Sequence, residues 1–143
     1  MLKYNKMIRP IAISIIKKED SILVYEREDD VTGEKFYRLV GGCIEFGESS
    51  SDALMREFDE ELSLEVINNK LLTVFESIFT FNSKIMHEVV FLYSSNFKDE
   101  SNYKKNAIDG LEGSRSFKAI WIPVSDFLDH KYKIYPEEIV EYL

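Results

Sequence analysis

The chain has 143 residues, 45% of them apolar and 31% charged, a balance that suits a single compact domain over residues 1–143 and excludes a disordered chain. Its formal net charge of −8 argues against binding to a nucleic-acid polymer, which requires a basic surface. A small phosphate ligand is not excluded, because a bound metal cation would supply the positive charge.

The segment 1–20 lacks the long apolar run and the cleavage site of a secretory leader, and the apolar stretch 11–16 is too short to cross a membrane. The single cysteine, Cys43, allows no intrachain disulfide and fits a reducing compartment. Its neighbours Glu45 and Glu48 disfavour a reactive thiolate, so we interpret Cys43 as structural. We therefore expect a soluble cytoplasmic protein.

Runs rich in β-branched and aromatic residues, separated by charged and glycine-containing turns, predict a series of strands. The predicted strands span 8–17, 21–27, 35–40, 71–81, 85–93 and 116–122. The third ends at a turn, Gly41-Gly42, and the fifth is apolar on both faces, as a central strand would be. The polar segment 97–113 is predicted to be a long loop. Pro123 and Pro136 are expected in the first turns of two short helices.

A change of period after Ser49 predicts a helix from about residue 50 to 62, with Ser49 and Asp52 forming a capping box. One face of this helix carries the apolar side chains of Leu54, Phe58 and Leu62. The adjacent face carries the carboxylates of Glu57, Glu60 and Glu61. Like charges on one helix face repel by roughly a few tenths of a kcal/mol per pair. The cluster therefore indicates either a solvated acidic face or a bound divalent cation.

Residues near the carboxylates favour the metal interpretation. Mg²⁺ prefers oxygen ligands and typically takes one or two carboxylates together with substrate phosphate oxygens. Gly42 would let the backbone approach such an ion closely, so its carbonyl is a further candidate ligand. Arg56 is expected, from its helical angle, to point away from the cluster centre and to pair with Glu48, which would pin the loop to the helix.

The spacing of these residues over 42–64 resembles the Nudix box, G-x5-E-x7-R-E-U-x-E-E-x-G-U, in which U is apolar. The matching residues are Gly42, Glu48, Arg56, Glu57, Glu60 and Glu61, with Phe58 and Leu64 at the apolar positions. Ser63 stands where the box has its last glycine, which would end the helix in a left-handed conformation. Serine in that conformation costs about 1 kcal/mol, so altered capping without loss of activity is expected.

The resemblance implies an α+β fold, an α/β/α sandwich with a mixed sheet and a catalytic loop-helix-loop. It implies a MutT-like hydrolase that uses Mg²⁺ or Mn²⁺ and cleaves a diphosphate linkage in a nucleotide by attack of water at phosphorus. The implied metal ligands are Glu57, Glu60 and Glu61 with the Gly42 carbonyl, and Glu48 and Arg56 are the supporting pair. Either Glu57 or Glu61 would position the water.

Some Nudix enzymes add a carboxylate from outside the box, and this chain offers three candidates. Glu88 is the first, because a charged residue on an apolar central strand needs a partner when buried. Glu112 is the second, as a general base that arrives when the predicted loop closes. Glu76 is the third.

The residues that bind the rest of the substrate are less well defined. Arg38 is a candidate for binding a phosphate, and a surface salt bridge is the alternative role for it. Arg27 is a weaker candidate for binding a phosphate. His87 is a candidate for a substrate or proton role, against a satisfied structural histidine. Phe79 or Phe81 would stack a nucleobase if it is not part of the core. Three cationic residues of the second half of the chain either solubilise it or contact a phosphate: Lys104, Lys105 and Arg115.

The sequence thus predicts a metal-dependent pyrophosphohydrolase acting on a small-molecule nucleotide. Nucleoside triphosphates, ADP-ribose, nucleotide sugars and dinucleoside polyphosphates all stay open as substrates. Neither a nucleic-acid polymer nor a membrane is expected as a partner, and a homodimer is an option on base rates alone. The alternatives are a non-catalytic nucleotide-sensing domain of the same fold, disfavoured by the retained carboxylates, and an interaction protein that uses its acidic helix.

Overall fold

The computed structural model describes residues 6–143, so the part of the leader prediction that concerns residues 1–5 lies outside it. The strands are β1 Ile8–Lys18, β2 Ser21–Glu28, β3 Lys35–Arg38, β4 Gly41–Cys43, β5 Val66–Phe81, β6 Lys84–Phe97, β7 Ala107–Glu112 and β8 Arg115–Pro123. The helices are α1 Ser50–Leu62 and α2 Val124–Leu128, with 3₁₀ helices at Glu100–Lys104 and Glu137–Tyr142. Within the described range, no helix is both long and apolar enough to cross a bilayer.

The strands form a mixed sheet in the order β5-β6-β1-β2-β8-β7. β1 and β6 run parallel, as in Ile8 beside His87, whereas the other paired strands are antiparallel. β1 pairs with β2 only at Lys17 and Lys18, and its earlier residues pair with β4 instead. The two halves of the sheet therefore separate toward the start of β1, which opens a cleft between them.

Helices cover the sheet on both faces, as the sequence predicts. On one face, Leu54 and Phe58 of α1 are fully buried against Ala12 of β1 in one apolar cluster. On the other face, Phe127 of α2 and Ile139 of the last 3₁₀ helix pack in a second cluster. The predicted mixed α+β sandwich is confirmed, and β6 lies between β5 and β1 as a central strand.

The prediction of a long loop over 97–113 is wrong. β6 continues to Phe97, a 3₁₀ helix follows, and β7 pairs antiparallel with β8. β7 is the last strand of the sheet, and its residues alternate between buried and exposed, with Ile108 buried and Asp109 exposed. An edge strand with one solvent-facing side carries polar residues, so its polarity was mistaken for that of a loop.

Smaller differences concern the turns. Gly41 and Gly42 were expected to end a strand in a turn, but they belong to β4 and pair with Ile13 and Ala12. The expectation that the two prolines lie within the first turns of helices is also wrong by one residue. Pro123 ends β8 and precedes α2, and Pro136 precedes the last 3₁₀ helix.

The predicted boundaries of α1 are confirmed. The Ser49 side chain accepts a hydrogen bond from the Asp52 backbone N–H at 3.1 Å and caps the helix. Leu54, Phe58 and Leu62 are all buried, so the apolar stripe packs as expected.

The helix ends at Ser63, which adopts φ 55° and ψ 38°, the left-handed conformation. Its N–H donates to the Asp59 carbonyl at 2.9 Å, and the Leu64 N–H donates to the Phe58 carbonyl at 3.4 Å. The expected alteration of capping is therefore wrong, because serine takes the conformation that the glycine of the box would take. This ending keeps the carbonyls of the last turn bonded.

We predict that Ser63→Gly will raise the free energy of unfolding by about 1 kcal/mol, because glycine removes the Cβ penalty of the left-handed conformation. Urea denaturation of the two proteins measures the difference. Ser63→Ala, which keeps a Cβ, is the matched control and should show no gain. A gain from alanine as large as that from glycine would contradict the conformational explanation.

Candidate active site

The second half of α1 and strand β4 bring the predicted ligand residues to one cavity of about 300 Å³, here called the carboxylate cavity. The Glu57 side chain is 13% exposed and that of Glu60 is 57% exposed, while Glu61 is buried. β4 packs so closely on α1 that a Cβ on Gly42 would lie 2.6 Å from Oε2 of Glu57. The remaining lining residues are Arg9, Cys43, Leu111, Glu112 and Gly113.

Arg56 joins the loop to the carboxylates. Its Nε donates to Oε2 of Glu48 at 3.0 Å, so the predicted pair is present, and its Nη2 donates to the Cys43 carbonyl at 2.9 Å. Its Nη1 donates to Oε1 of Glu57 at 3.0 Å and to Oε2 of Glu60 at 3.2 Å. The expectation that Arg56 points away from the cluster is wrong, because residues four apart share a helix face and Arg56 therefore lies beside Glu60.

Glu48 fixes the loop before α1. It accepts the Glu45 backbone N–H at 2.9 Å in addition to its bonds from Arg56. Hydrogen bonds from Arg56 and from that N–H lower the pKa of Glu48 to about 2, from an ordinary value of 4.5. The ionised form is therefore the one that the folded chain favours.

A carboxyl group whose pKa is lower in the folded chain stabilises it above its unfolded pKa, and that contribution is lost as the pH falls toward the folded value. We therefore predict that Glu48→Gln lowers the melting temperature at pH 6, and that the difference from wild type shrinks as the pH falls from 4.5 toward 2. Thermal melts of both proteins across this range provide the measurement. A difference that stays constant with pH would show that the ionised pair does not contribute.

Glu61 lies buried in the carboxylate cavity. It is 7% exposed, and its Oε1 has no hydrogen-bond partner among the described residues. Burial raises its pKa to about 8, with further contributions from the Glu57 and Glu60 carboxylates. A buried, unpaired carboxylate oxygen is costly unless a cation or a donor meets it.

These residues are suited to a hard cation. Carboxylate oxygens, one of them buried without a partner, are the kind of donors that Mg²⁺ and Mn²⁺ take, and the backbone of Gly42 packs closely against Glu57. Among residues 6–143, no three His, Cys, Asp or Glu side chains already converge as a closed metal site. The Arg56 guanidinium instead holds Glu57 and Glu60, so a cation would have to compete with an internal positive charge.

Of the three candidates for an additional carboxylate, Glu112 alone lines the carboxylate cavity. It ends β7, so its expected place in a mobile loop is wrong and the argument from loop closure no longer applies. Glu88 is 1% exposed and forms a salt bridge with Arg38, from Nη2 to Oε1, at 2.9 Å. Oε1 of Glu76 lies 3.3 Å from Nε2 of His87; Glu76 is exposed and does not line the carboxylate cavity.

A second cavity of about 260 Å³, here called the arginine cavity, lies in the cleft between the two halves of the sheet. It shares Arg9 and Glu112 with the carboxylate cavity. Its other lining residues are Tyr25, Arg27, Phe36, Arg38, Phe79, Phe81, Met86 and Arg115. The structure thus brings Arg38 and Phe79 to one site beside the carboxylates, and it leaves His87 outside.

Sequence reasoning missed Arg9 and Tyr25. Arg9 donates from Nη2 to Sγ of Cys43 at 3.1 Å, so this thiol has a cationic neighbour that the adjacent residues Glu45 and Glu48 do not indicate. Burial raises the pKa of the Tyr25 hydroxyl above its ordinary value of 10.0. The alternation of Tyr25 and Arg27 on β2 was the available signal, because residues two apart on a strand share a face.

Comparison with known proteins places the chain in a family. The family model for the NUDIX domain matches residues 7–143. An NAD-capped RNA hydrolase of Pseudomonas fluorescens is 40% identical over 67 residues, a match that covers 47% of this chain and only 24% of that protein.

Two solved structures illustrate the likeness of fold. A MutT Nudix hydrolase of Burkholderia pseudomallei has a TM-score of 0.63 at 23% identity, with 84% of this chain and 86% of that chain covered. An ADP-ribose pyrophosphatase of Streptococcus suis has a TM-score of 0.60 at 14% identity, with 94% of this chain and 88% of that chain covered. Fold, box residues and family model agree, and the chain belongs to the Nudix family of hydrolases.

Proposed function

We propose that this chain is a metal-dependent pyrophosphohydrolase that acts as one domain and cleaves the diphosphate linkage of a small nucleotide. The observation that carries the proposal is the unpartnered oxygen of Glu61, buried beside Glu57 and close to the backbone of Gly42. This donor set lies next to a cavity lined by arginines, where a phosphorylated ligand has positive charge to meet it.

The roles of the side chains follow from their positions. Glu57, Glu60 and Glu61, with the Gly42 carbonyl, would hold Mg²⁺ or Mn²⁺, which supplies charge neutralisation at phosphorus and an activated water. Arg56 and Glu48 orient these carboxylates and fix the loop that precedes α1. Glu112 lines the same cavity and is our candidate for accepting a proton from the attacking water.

The substrate class follows from charge and size. Two adjoining cavities of about 300 and 260 Å³ suit a small nucleotide. The net charge of −8 disfavours a long polyanion such as RNA, although a relative over part of the chain is named for NAD-capped RNA. A homodimer stays a prediction.

A hydrolysis screen tests the proposal. Purified protein is incubated with nucleoside triphosphates, ADP-ribose, nucleotide sugars, dinucleoside polyphosphates and NAD-capped RNA, with Mg²⁺ or Mn²⁺ and with EDTA as the control. We expect metal-dependent cleavage of one small-nucleotide class, and no cleavage in EDTA. Nucleotide binding by thermal shift without any turnover would favour the non-catalytic sensing domain and overturn the proposal.

A further inference from the structure

The arginine cavity carries more positive charge than its internal partners neutralise. Arg9, Arg27, Arg38 and Arg115 line it, against the carboxylates of Glu112 on its wall and Glu88 bound to Arg38. Counted over these lining residues and Glu88 alone, the arginine cavity has an excess of two positive charges, in a chain whose net charge is −8. Such a local reversal of sign indicates a site for an anion.

The arginines are close enough for the positive charge of one to lower the pKa of another. The Arg27 side chain is 20% exposed, and burial lowers its pKa. The positive charges of Arg115 and Arg38 lower it further. Like charges held together in a partly buried place are costly unless an anion joins them.

The aromatic rings of the cavity are already engaged. Phe79 stacks on Tyr135 with ring centroids 5.2 Å apart and planes at 8°, and Cζ of Arg38 lies over Phe79 at 5.5 Å. Cζ of Arg27 lies 4.8 Å from the Phe81 ring. The arginines thus occupy the ring faces that stacking of a nucleobase would need, and present charge to the cavity instead.

Glu112 occupies the junction of the two cavities. Its Oε1 lies 3.9 Å from Nη1 of Arg27, and it also forms a salt bridge with Arg115 across the β7–β8 turn. The side chains of Glu112 and Arg115 are 38% and 45% exposed, so both have room to move. Two cations that share one carboxylate are arranged as they would be around a phosphate group.

We infer that the arginine cavity is an anion site, in which Arg27 and Arg115 bind a phosphate group separate from the diphosphate that is cleaved, and displace Glu112 from between them. The inference rests on the proposed function for the identity of the cleaved diphosphate. It narrows the substrate to molecules that carry a further phosphate beyond the scissile linkage.

Inorganic phosphate in excess EDTA is the direct probe, because the carboxylate cavity should not bind phosphate once the metal has been removed. Isothermal titration calorimetry should show binding to the wild type. Arg115→Gln should weaken it about tenfold, as expected for loss of a charge-assisted contact, and Arg115→Lys should restore most of the affinity. Lys98→Gln removes a charge at an exposed pair with Glu65 and should change the affinity less than about twofold.

The variant Glu112→Gln distinguishes a carboxylate that competes with phosphate from one that only supports the fold. If Glu112 competes with phosphate for Arg27 and Arg115, its neutralisation should tighten phosphate binding about threefold or more. A carboxylate that merely supports the fold would give unchanged or weaker binding. Absence of phosphate binding to the wild type, or equal losses in Arg115→Gln and Lys98→Gln, would overturn the inference.

A kinetic measurement separates a phosphate carried by the substrate from free phosphate acting as a regulator. With the metal present, phosphate should raise KM and leave kcat unchanged, and Arg115→Gln should abolish this competition. An effect on kcat alone would assign the site to a free effector and overturn the inference. If the screen finds no hydrolysis, the proposed function fails, while the calorimetry still decides whether the anion site exists.

Discussion

Glu60→Gln is expected to lower kcat by about 100-fold or more, while the melting temperature stays within a few degrees of the wild type. The Glu60 side chain is 57% exposed and accepts a hydrogen bond from Nη1 of Arg56 at 3.2 Å, so we expect the fold to tolerate the amide. The change removes one of the three carboxylates that we propose as metal ligands in the carboxylate cavity. Steady-state kinetics across a range of Mg²⁺ concentrations, with a thermal melt of each protein, provide the measurement.

Asp59→Asn is the matched control for this prediction. It makes the same carboxylate-to-amide change one residue earlier on α1, at an exposed position that does not line the carboxylate cavity. We expect its kcat to stay within about twofold of the wild type, because general charge reduction on the helix has a small effect. A loss of less than about fivefold in Glu60→Gln, or an equal loss in both variants, would remove Glu60 from the metal ligands.

The adjacent glycines of β4 should respond in opposite ways to alanine. Gly41 has φ +149°, and a Cβ there would lie 2.7 Å from Cα of Ile13 and collide with the Ala12 carbonyl oxygen. Neither backbone atom can move without breaking the β1–β4 pairing. We expect Gly41→Ala to lower the free energy of unfolding by about 3 kcal/mol or more, as measured by urea denaturation.

Gly42→Ala should affect activity more than stability. The Cβ would press on the Glu57 carboxylate, with Oε1 at 2.7 Å, and this side chain is able to swing away. Displacement of Glu57, a proposed metal ligand, should lower kcat about 100-fold, because a misplacement near 1 Å is enough for such a loss. The two variants serve as controls for each other. Equal losses of stability in both, with retained activity in Gly42→Ala, would contradict the close approach of Gly42 to the ligands.

What could be predicted from the sequence was mostly local. Glu57, Glu60 and Glu61 share a helix face by spacing alone, and Ser49 marks the start of that helix, so α1 and its carboxylates were predicted within the correct boundaries. The ending at Ser63 was not, because the cost of a left-handed serine had to be weighed against the bonds that the last turn keeps.

The arginine cavity could not be predicted as a unit. Its residues come from seven strands, β1, β2, β3, β5, β6, β7 and β8, and they meet because the sheet separates where β1 exchanges one partner strand for another. Arg38 and Glu88 are 50 residues apart in the chain, and a single sequence does not reveal such a pair. β7 was missed for a related reason, since an edge strand has a polar side and weak periodicity.

The parallel pairing of β1 with β6 has a consequence for folding kinetics. The Ser14 and Ser95 hydroxyls on these strands hydrogen bond at 2.7 Å across 81 residues of sequence. A contact of that separation forms slowly, because a long loop must close before the two strands can pair. Folding in milliseconds to seconds is typical of such topologies. The β5–β6 hairpin and α1 can form earlier from local contacts. Recovery of activity during refolding should therefore lag behind recovery of helix signal, since the cleft exists only after β1 has joined its distant partner.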